Sequence, residues 1–301
     1  MKHDAIIIGK GPAGISAAIY LARAGYRVLV IGKGIGALER AEKIENYYGF
    51  PESLSGQELA LRGIAQAERL GVEVRSEEAV SVLMEDGFLV RTAPSSGTSL
   101  LSETGYGAPV VLLATGKSRT TLNVPGFEEF RGKGISFCAT CDGFFYRGKK
   151  LAVIGSGGYA ASELSELLHF TSDITLFTDG KPLATGSLPA GVAVVTERIT
   201  GFTGTDRLSG ITTAGGESCP VDGAFVAVGT AGAADFAAKM GLETRDSDIV
   251  VDGDFRTNVP GIFAAGDCVG GYLQVAKAVS DGALAARSIS SFLKELGKKA
   301  G

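Results

Sequence analysis

Ala5-Ile6-Ile7-Ile8-Gly9-Lys10-Gly11-Pro12-Ala13-Gly14 is the stretch that decides the fold, together with the segment Ile15 to about Ala24 and the apolar run Arg27 to Ile31 that follow it. A short apolar run, a G-x-G-x-x-G, a segment of helical period and a second apolar run read as strand, glycine turn, helix and strand. Each glycine has a separate task. The first permits the tight turn, the second lets backbone approach a pyrophosphate, and the third lets the helix pack on the strand, while the helix N-terminus favours the negative charge. Gly9, Gly11, Pro12, Ala13 and Gly14 are therefore candidate cofactor-binding residues. Where such a unit often sets an acid for a ribose, about 20 residues further on, this chain has Gly32.

A second unit of the same kind begins at Leu151. Leu151 to Ile154 reads as a strand, Gly155-Ser156-Gly157-Gly158-Tyr159-Ala160 as the turn, the segment to about His169 as a helix and Asp173 to Thr178 as the next strand. Between the two units, Glu77 to Thr92 and Val110 to Ala114 read as strands separated by a polar Ser, Thr and Gly stretch, Ala93 to Pro109, as in a hairpin excursion. Short strands at Val192 to Val195, Gly210 to Thr213 and Ala224 to Val228 complete the second unit, and Gly261 to Asp267 leads into an amphipathic helix from Leu273 to about Leu296. The pattern predicts an α/β protein of two Rossmann-like domains with parallel sheets in three layers, the second domain inserted into the first.

Composition agrees with two domains of ordinary soluble type. The chain has 301 residues, 45% hydrophobic and 21% charged, with 29 basic against 33 acidic side chains, which suggests neither disorder nor a nucleic-acid surface. Forty-four glycines beside nine prolines point to several turns where backbone approaches a ligand closely. The longest run free of charge, Pro182 to Thr196, is interrupted by Gly, Pro, Ser and Thr and falls short of the ~18 apolar residues of a membrane span. With no secretory pattern at Met1-Lys2-His3-Asp4, a cytoplasmic protein is expected. Two of the four cysteines form Cys138-Ala-Thr-Cys141, a candidate redox pair, while Cys219 and Cys268 stand alone and read as small fillers. The pair is also half of a zinc set, but the other Cys and His residues are scattered, so no metal site is expected.

At Cys138-Ala-Thr-Cys141-Asp142-Gly143-Phe-Phe-Tyr-Arg-Gly148 the sequence resembles the low-molecular-weight thioredoxin reductases. The resemblance extends over nearly the whole chain, through the opening G-x-G-P-A-G, Glu45-Asn46-Tyr-Tyr-Gly-Phe-Pro51, Ala114-Thr115-Gly116, Gly261 to Asp267 and Gln274-Val275-Ala276. It implies a FAD domain made of residues 1–117 and 243–301 and an inserted redox-disulfide domain, residues 118–242, with a degenerate pyridine-nucleotide fold. It adds Asn46, Ala114, Thr115, Gly116, Gly266, Asp267, Gln274, Val275 and Ala276 to the expected flavin contacts. It also implies a homodimer, with thioredoxin as electron acceptor. In the family the second cysteine, here Cys141, meets the flavin and takes its electrons, the first, Cys138, attacks the substrate disulfide, and Asp142 moves the proton. Neither His3 nor His169 adjoins a motif, so a histidine-assisted disulfide reductase of the larger glutathione-reductase type is not expected.

The second glycine turn departs from the family pattern. NADPH-using members have a small polar residue at the position of Tyr159 and an arginine-rich run after the next strand to hold the 2'-phosphate. This chain reads Leu176-Phe177-Thr178-Asp179-Gly180-Lys181 there. Asp179 disfavours a phosphate, and Tyr159 is expected to put bulk where the pyrophosphate must lie. The chain is in these respects similar to the ferredoxin-dependent flavin thioredoxin reductases, which also lack the NADPH motifs and have a last helix like Lys277 to Gly282. Reduced ferredoxin is then the expected donor. Transfer from about -400 mV to about -270 mV is downhill by about 6 kcal/mol for two electrons. Arg131, Lys133, Arg147, Lys149 and Lys150 offer positive charge to an acidic ferredoxin, or form only a solvated face. Three other readings stay open: a reductase fed by NADH or NADPH, a dithiol oxidase passing electrons to oxygen, and a flavin-binding regulatory protein without catalysis.

Overall fold

A computed structural model describes residues 2–93, 104–117, 122–183, 188–189, 191–246 and 248–299. The chain divides into two compact units: Met1–Thr92 with Thr104–Ser118 and Gly232–Gly301, and Ala93–Glu103 with Arg119–Ala231. The α-helices among the described residues are α1 (Pro12–Arg23), α2 (Gly56–Arg69), α3 (Ala139–Asp142), α4 (Gly158–Leu167), α5 (Ala233–Met240) and α6 (Val275–Lys299).

The first unit is built on a five-stranded parallel sheet in the order Ile262–Ala264, Val111–Leu113, Ala5–Ile8, Val28–Ile31, Glu73–Arg75. Every residue of Ala5–Ile8 and Val28–Ile31 is buried, as expected of parallel strands covered on both faces. α1 crosses between these two strands and packs on α6. The two helices come so close that a Cβ on Gly282 would lie 2.1 Å from the Ala13 carbonyl oxygen. Ser16 Oγ of α1 donates to the Val279 carbonyl of α6 at 2.7 Å, and Tyr26 OH, just beyond α1, to that of Ser290 at 3.1 Å. Ser55 caps α2 by accepting from the Glu58 N–H at 3.1 Å.

Beside this sheet, Glu78–Met84, Phe88–Ala93 and Thr104–Ala108 form an antiparallel ribbon. The sequence reading runs the first two together as Glu77 to Thr92, but Asp86 and Gly87, both at positive φ, turn the chain between them. The third strand lies inside the stretch expected to be a polar connection, of which residues 94–103 fall outside those described. α5 belongs to the first unit, where it packs on Glu78–Met84, although it lies within residues 118–242.

The second unit repeats the architecture: a parallel sheet in the order Ala193–Val195, Ile174–Phe177, Leu151–Ile154, Gly223–Val226, Ile135–Ser136, with α4 following the central strand. Its core joins Phe127, Phe177, Phe202, Ile154, Ile211 and Val226. A three-stranded antiparallel sheet, Ile199–Gly204, Leu208–Thr213 and Ser218–Pro220, accompanies it.

One contact shows how alike the two units are. A Cβ on Gly9 would lie 2.2 Å from the carbonyl oxygen of Ala114, and one on Gly155 equally 2.2 Å from that of Ala227. In each unit the first glycine of the turn is pressed against the residue that follows the neighbouring strand, Val111–Leu113 or Gly223–Val226. Only glycine fits there, and the two domains are Rossmann-like in the same sense.

Candidate active site

The first unit brings the expected flavin residues together from four parts of the chain. α1 starts after Gly11 with no side chain capping it and Pro12 in its first turn, so its N-terminal N–H groups are left to an anion. Gly11 has open space where a Cβ would stand, whereas a Cβ on Gly14 would meet the Gly9 carbonyl at 1.9 Å. These are the backbone-approach and helix-packing roles expected of the second and third glycines. Asn46 Nδ2 donates to Gln274 Oε1 at 2.9 Å across 228 positions of sequence. A cleft of about 380 Å³ opens beside Gly11 and Pro12 and is walled by Tyr47, Leu59 and Val275. Thr115 Oγ1 is buried with no hydrogen-bond partner among the described residues, and Gly116 takes a positive φ next to it.

Asp267 follows Gly266, itself at φ +86° with a Cβ excluded by Ala13. Burial raises the Asp267 carboxyl above the usual carboxylate range, with Lys277 and Lys117 opposing the rise and Asp281 adding to it. Lys277 Nζ donates to the carbonyls of Gly266, at 2.9 Å, and Gly270 and pairs with Asp281 at 2.8 Å, while Asp281 accepts the Gly266 N–H at 3.1 Å. This lattice, which the motifs did not reveal, fixes the turn that carries Asp267. At the position of the absent ribose acid, the stem of Lys10 covers Gly32 and its ammonium reaches Ser76 Oγ at 2.8 Å. Burial pushes that ammonium's pKa down.

An uncapped helix start and an open glycine, both beside the cleft, together with the buried Thr115 hydroxyl, fit a dinucleotide cofactor. Gly9 to Gly14, Thr115, Asp267 and the Asn46–Gln274 pair are the residues that would hold it.

In the second unit Cys138 and Cys141 form a disulfide with Cα atoms 5.3 Å apart, Cys138 at the start of α3 and Cys141 inside it. The Cys141 N–H points at Cys138 Sγ, 3.1 Å away. Cys138 is buried and Cys141 exposed. Ser136 Oγ donates to Asp142 Oδ2 at 2.6 Å and accepts the Cys138 N–H at 3.2 Å, so one hydroxyl links the expected proton carrier to the backbone of the cysteine. Phe144 and Phe145 stand exposed just after the pair, with Arg147 over the Phe144 ring. The remaining thiols match the filler reading differently. Cys268 is fully buried, its thiol donating to the Ala265 carbonyl at 3.2 Å and pushed up by burial to about 12, whereas Cys219 is only partly buried.

At the second glycine turn Tyr159 is 1% exposed, and its hydroxyl donates to the Phe137 carbonyl at 3.2 Å. Asp179, at φ +52°, accepts the Ile199 N–H on its Oδ1 at 2.9 Å. The stem of Arg198 lies against Gly180, so the fold brings an arginine to a turn whose own sequence has none.

Fold, flavin-type cradle and dithiol together define a disulfide oxidoreductase with two dinucleotide-type domains. The chain belongs to the pyridine nucleotide-disulphide oxidoreductase family, which it matches over residues 3–282, and within it to the thioredoxin reductases. It is 32% identical to the thioredoxin reductase of Listeria innocua over 98% of this chain and 95% of that one, and 32% identical to that of Bacillus subtilis over 98% and 96%. Among solved structures, the atypical thioredoxin reductase TRi of Desulfovibrio vulgaris Hildenborough is 40% identical with a TM-score of 0.86, covering 97% of this chain and 98% of that one. A ferredoxin-flavin thioredoxin reductase of Clostridium acetobutylicum is 28% identical with a TM-score of 0.71, covering 98% of both. The family binds FAD, and the cradle of the first unit fits that cofactor.

Proposed function

We propose that the chain is a FAD-dependent thioredoxin-disulfide reductase whose electron donor is reduced ferredoxin. The observation that carries the donor assignment is the Thr178-Asp179-Gly180 turn: a carboxylate tied to Ile199 occupies the end of the second nucleotide-type fold where a 2'-phosphate needs cations. Likeness to a ferredoxin-flavin thioredoxin reductase along the full chain supports it.

Held by Gly9 to Gly14, Thr115, Asp267 and the Asn46–Gln274 pair, FAD would supply the exchange between one-electron and two-electron chemistry. The protein's part is thiol chemistry. Two electrons and two protons convert the Cys138–Cys141 disulfide to a dithiol; the Cys138 thiolate then attacks the thioredoxin disulfide, and Cys141 displaces reduced thioredoxin and re-forms the bridge. In this reading Asp142, whose Oδ2 accepts from Ser136 Oγ, is the group that takes and returns the proton of the pair. Because Cys138 is the buried member, the attack requires that it first be uncovered.

A second reading, a reductase fed by NADH or NADPH, is favoured by Arg198 against Gly180 and by Thr178 Oγ1, which is buried with no partner among the described residues. Steady-state thioredoxin reduction under anaerobic conditions with reduced ferredoxin, NADPH or NADH separates the two. Turnover with ferredoxin alone supports the proposal. Turnover with a nucleotide that Arg198→Ala abolishes establishes the second reading. Peroxide formed from a small dithiol and oxygen, without thioredoxin turnover, would instead identify a dithiol oxidase.

A further inference from the structure

α4 stands where a nucleotide-binding helix stands, yet two side chains of its first turns face the redox segment. Tyr159 and Glu163, four residues apart and so on one face of the helix, are each 1% exposed. Tyr159 OH donates to the Phe137 carbonyl at 3.2 Å, and Glu163 Oε2 accepts the Ala139 N–H at 2.7 Å. Those two groups belong to the peptide units on either side of Cys138. The remaining polar groups of the same two peptides are also held, the Cys138 N–H by Ser136 Oγ and the Cys138 carbonyl by the Asp142 N–H at 3.1 Å. Every backbone donor and acceptor flanking the buried cysteine thus has a partner, and the two that come from outside the segment come from α4.

We propose that Tyr159 and Glu163 are positioning residues that make α4 the mount of the dithiol, fixing the Cys138 backbone so that its sulfur stays within reach of Cys141. The inference rests on the reading of Cys138 and Cys141 as the redox centre. Its physical content is effective concentration: two thiols held in register close their disulfide more readily than two on a loose segment. Tyrosine at 159 then serves the cysteines and not a nucleotide, and its hydroxyl is the group that matters. At Glu163 the requirement is an accepting oxygen, which glutamine also supplies.

The test is the equilibrium of the Cys138–Cys141 couple of the FAD-loaded protein with glutathione redox buffers, followed by thiol alkylation and mass measurement in wild type, Tyr159→Phe, Glu163→Gln and Glu163→Leu. Loss of one such hydrogen bond is expected to make the disulfide about fivefold easier to reduce. Tyr159→Phe and Glu163→Leu should both show this, and Glu163→Gln should restore the wild-type value. If Glu163→Leu does not fold, Tyr159→Phe decides alone. A wild-type equilibrium in Tyr159→Phe, with at most a lowered melting temperature, would overturn the inference, as would a Gln variant as altered as the Leu variant. Wild-type turnover with thioredoxin, run beside it, reports on the reductase reading separately, because the glutathione equilibrium needs neither donor nor thioredoxin.

Discussion

At the scale of single residues the account rests on a division of labour between two sulfurs. Cys138→Ser should retain FAD and lose thioredoxin turnover by at least a hundredfold, as measured with the best donor; normal turnover would remove Cys138 from the attacking role. Ser136→Ala removes the hydroxyl joining Asp142 to the Cys138 N–H. It should lower the rate of dithiol formation about tenfold in single-turnover absorbance measurements and leave KM for thioredoxin unchanged, since nothing at the acceptor surface is altered. Ser136 is also a lesson in legibility. Cys138 and Cys141 announce themselves by spacing and Asp142 by the family resemblance, whereas a serine two residues upstream in an apolar run carries no motif and is found only when the short strand Ile135–Ser136 brings it to the carboxylate. Tyr159 was visible in the sequence as bulk in a glycine turn, but its bond to the Phe137 carbonyl was not, because no local pattern says which way such a side chain points.

At the scale of elements, close approach of backbone decides what is tolerated. A Cβ on Gly282 would sit 2.1 Å from the Ala13 carbonyl, so Gly282→Ala must push α6 off the first turn of α1. The expected cost is about 2–3 kcal/mol in urea unfolding, with weakened retention of FAD, because the same turn forms the cradle. The edge strand Glu73–Arg75 supplies a pH-dependent tie. His3 above all, then Arg75 and Lys2, hold the Glu73 carboxyl at about 2 against an ordinary 4.5. A carboxyl depressed in the folded state stabilises fully above about pH 4.5 and loses its contribution as pH falls toward 2. Glu73→Gln should therefore cost about 1 kcal/mol at pH 7, and its difference from wild type should shrink as urea unfolding is repeated from pH 4.5 downward. The strands beside the glycine turns were readable because unbroken apolar runs between turn signals have one interpretation. α5 and the strand Ile199–Gly204 were not: the first is eight mostly small residues, and the second, Ile-Thr-Gly-Phe-Thr-Gly, reads as a turn until Asp179 and the partner strand hold it.

At the scale of the whole molecule, two nucleotide-type folds with the same glycine geometry differ in what surrounds the turn. One has the open Gly11 with a cleft beside it and the buried Thr115 hydroxyl; in the other, two helix side chains bond the backbone around the disulfide and Asp179 accepts the first N–H of the strand Ile199–Gly204. That division was half legible. The two G-x-G turns gave the duplicated architecture, but Arg198, brought to Gly180 from 18 positions away, lay beyond any local pattern. The donor is the claim on which the functional reading turns. The direct measurement is an anaerobic titration of the FAD-loaded protein with oxidised thioredoxin present, following flavin absorbance as photoreduced ferredoxin, NADPH or NADH is added. The account predicts bleaching by ferredoxin, followed by reoxidation as thioredoxin is reduced, and no change with either nucleotide. Rapid bleaching by NADPH or NADH would contradict it and return the second fold to nucleotide binding.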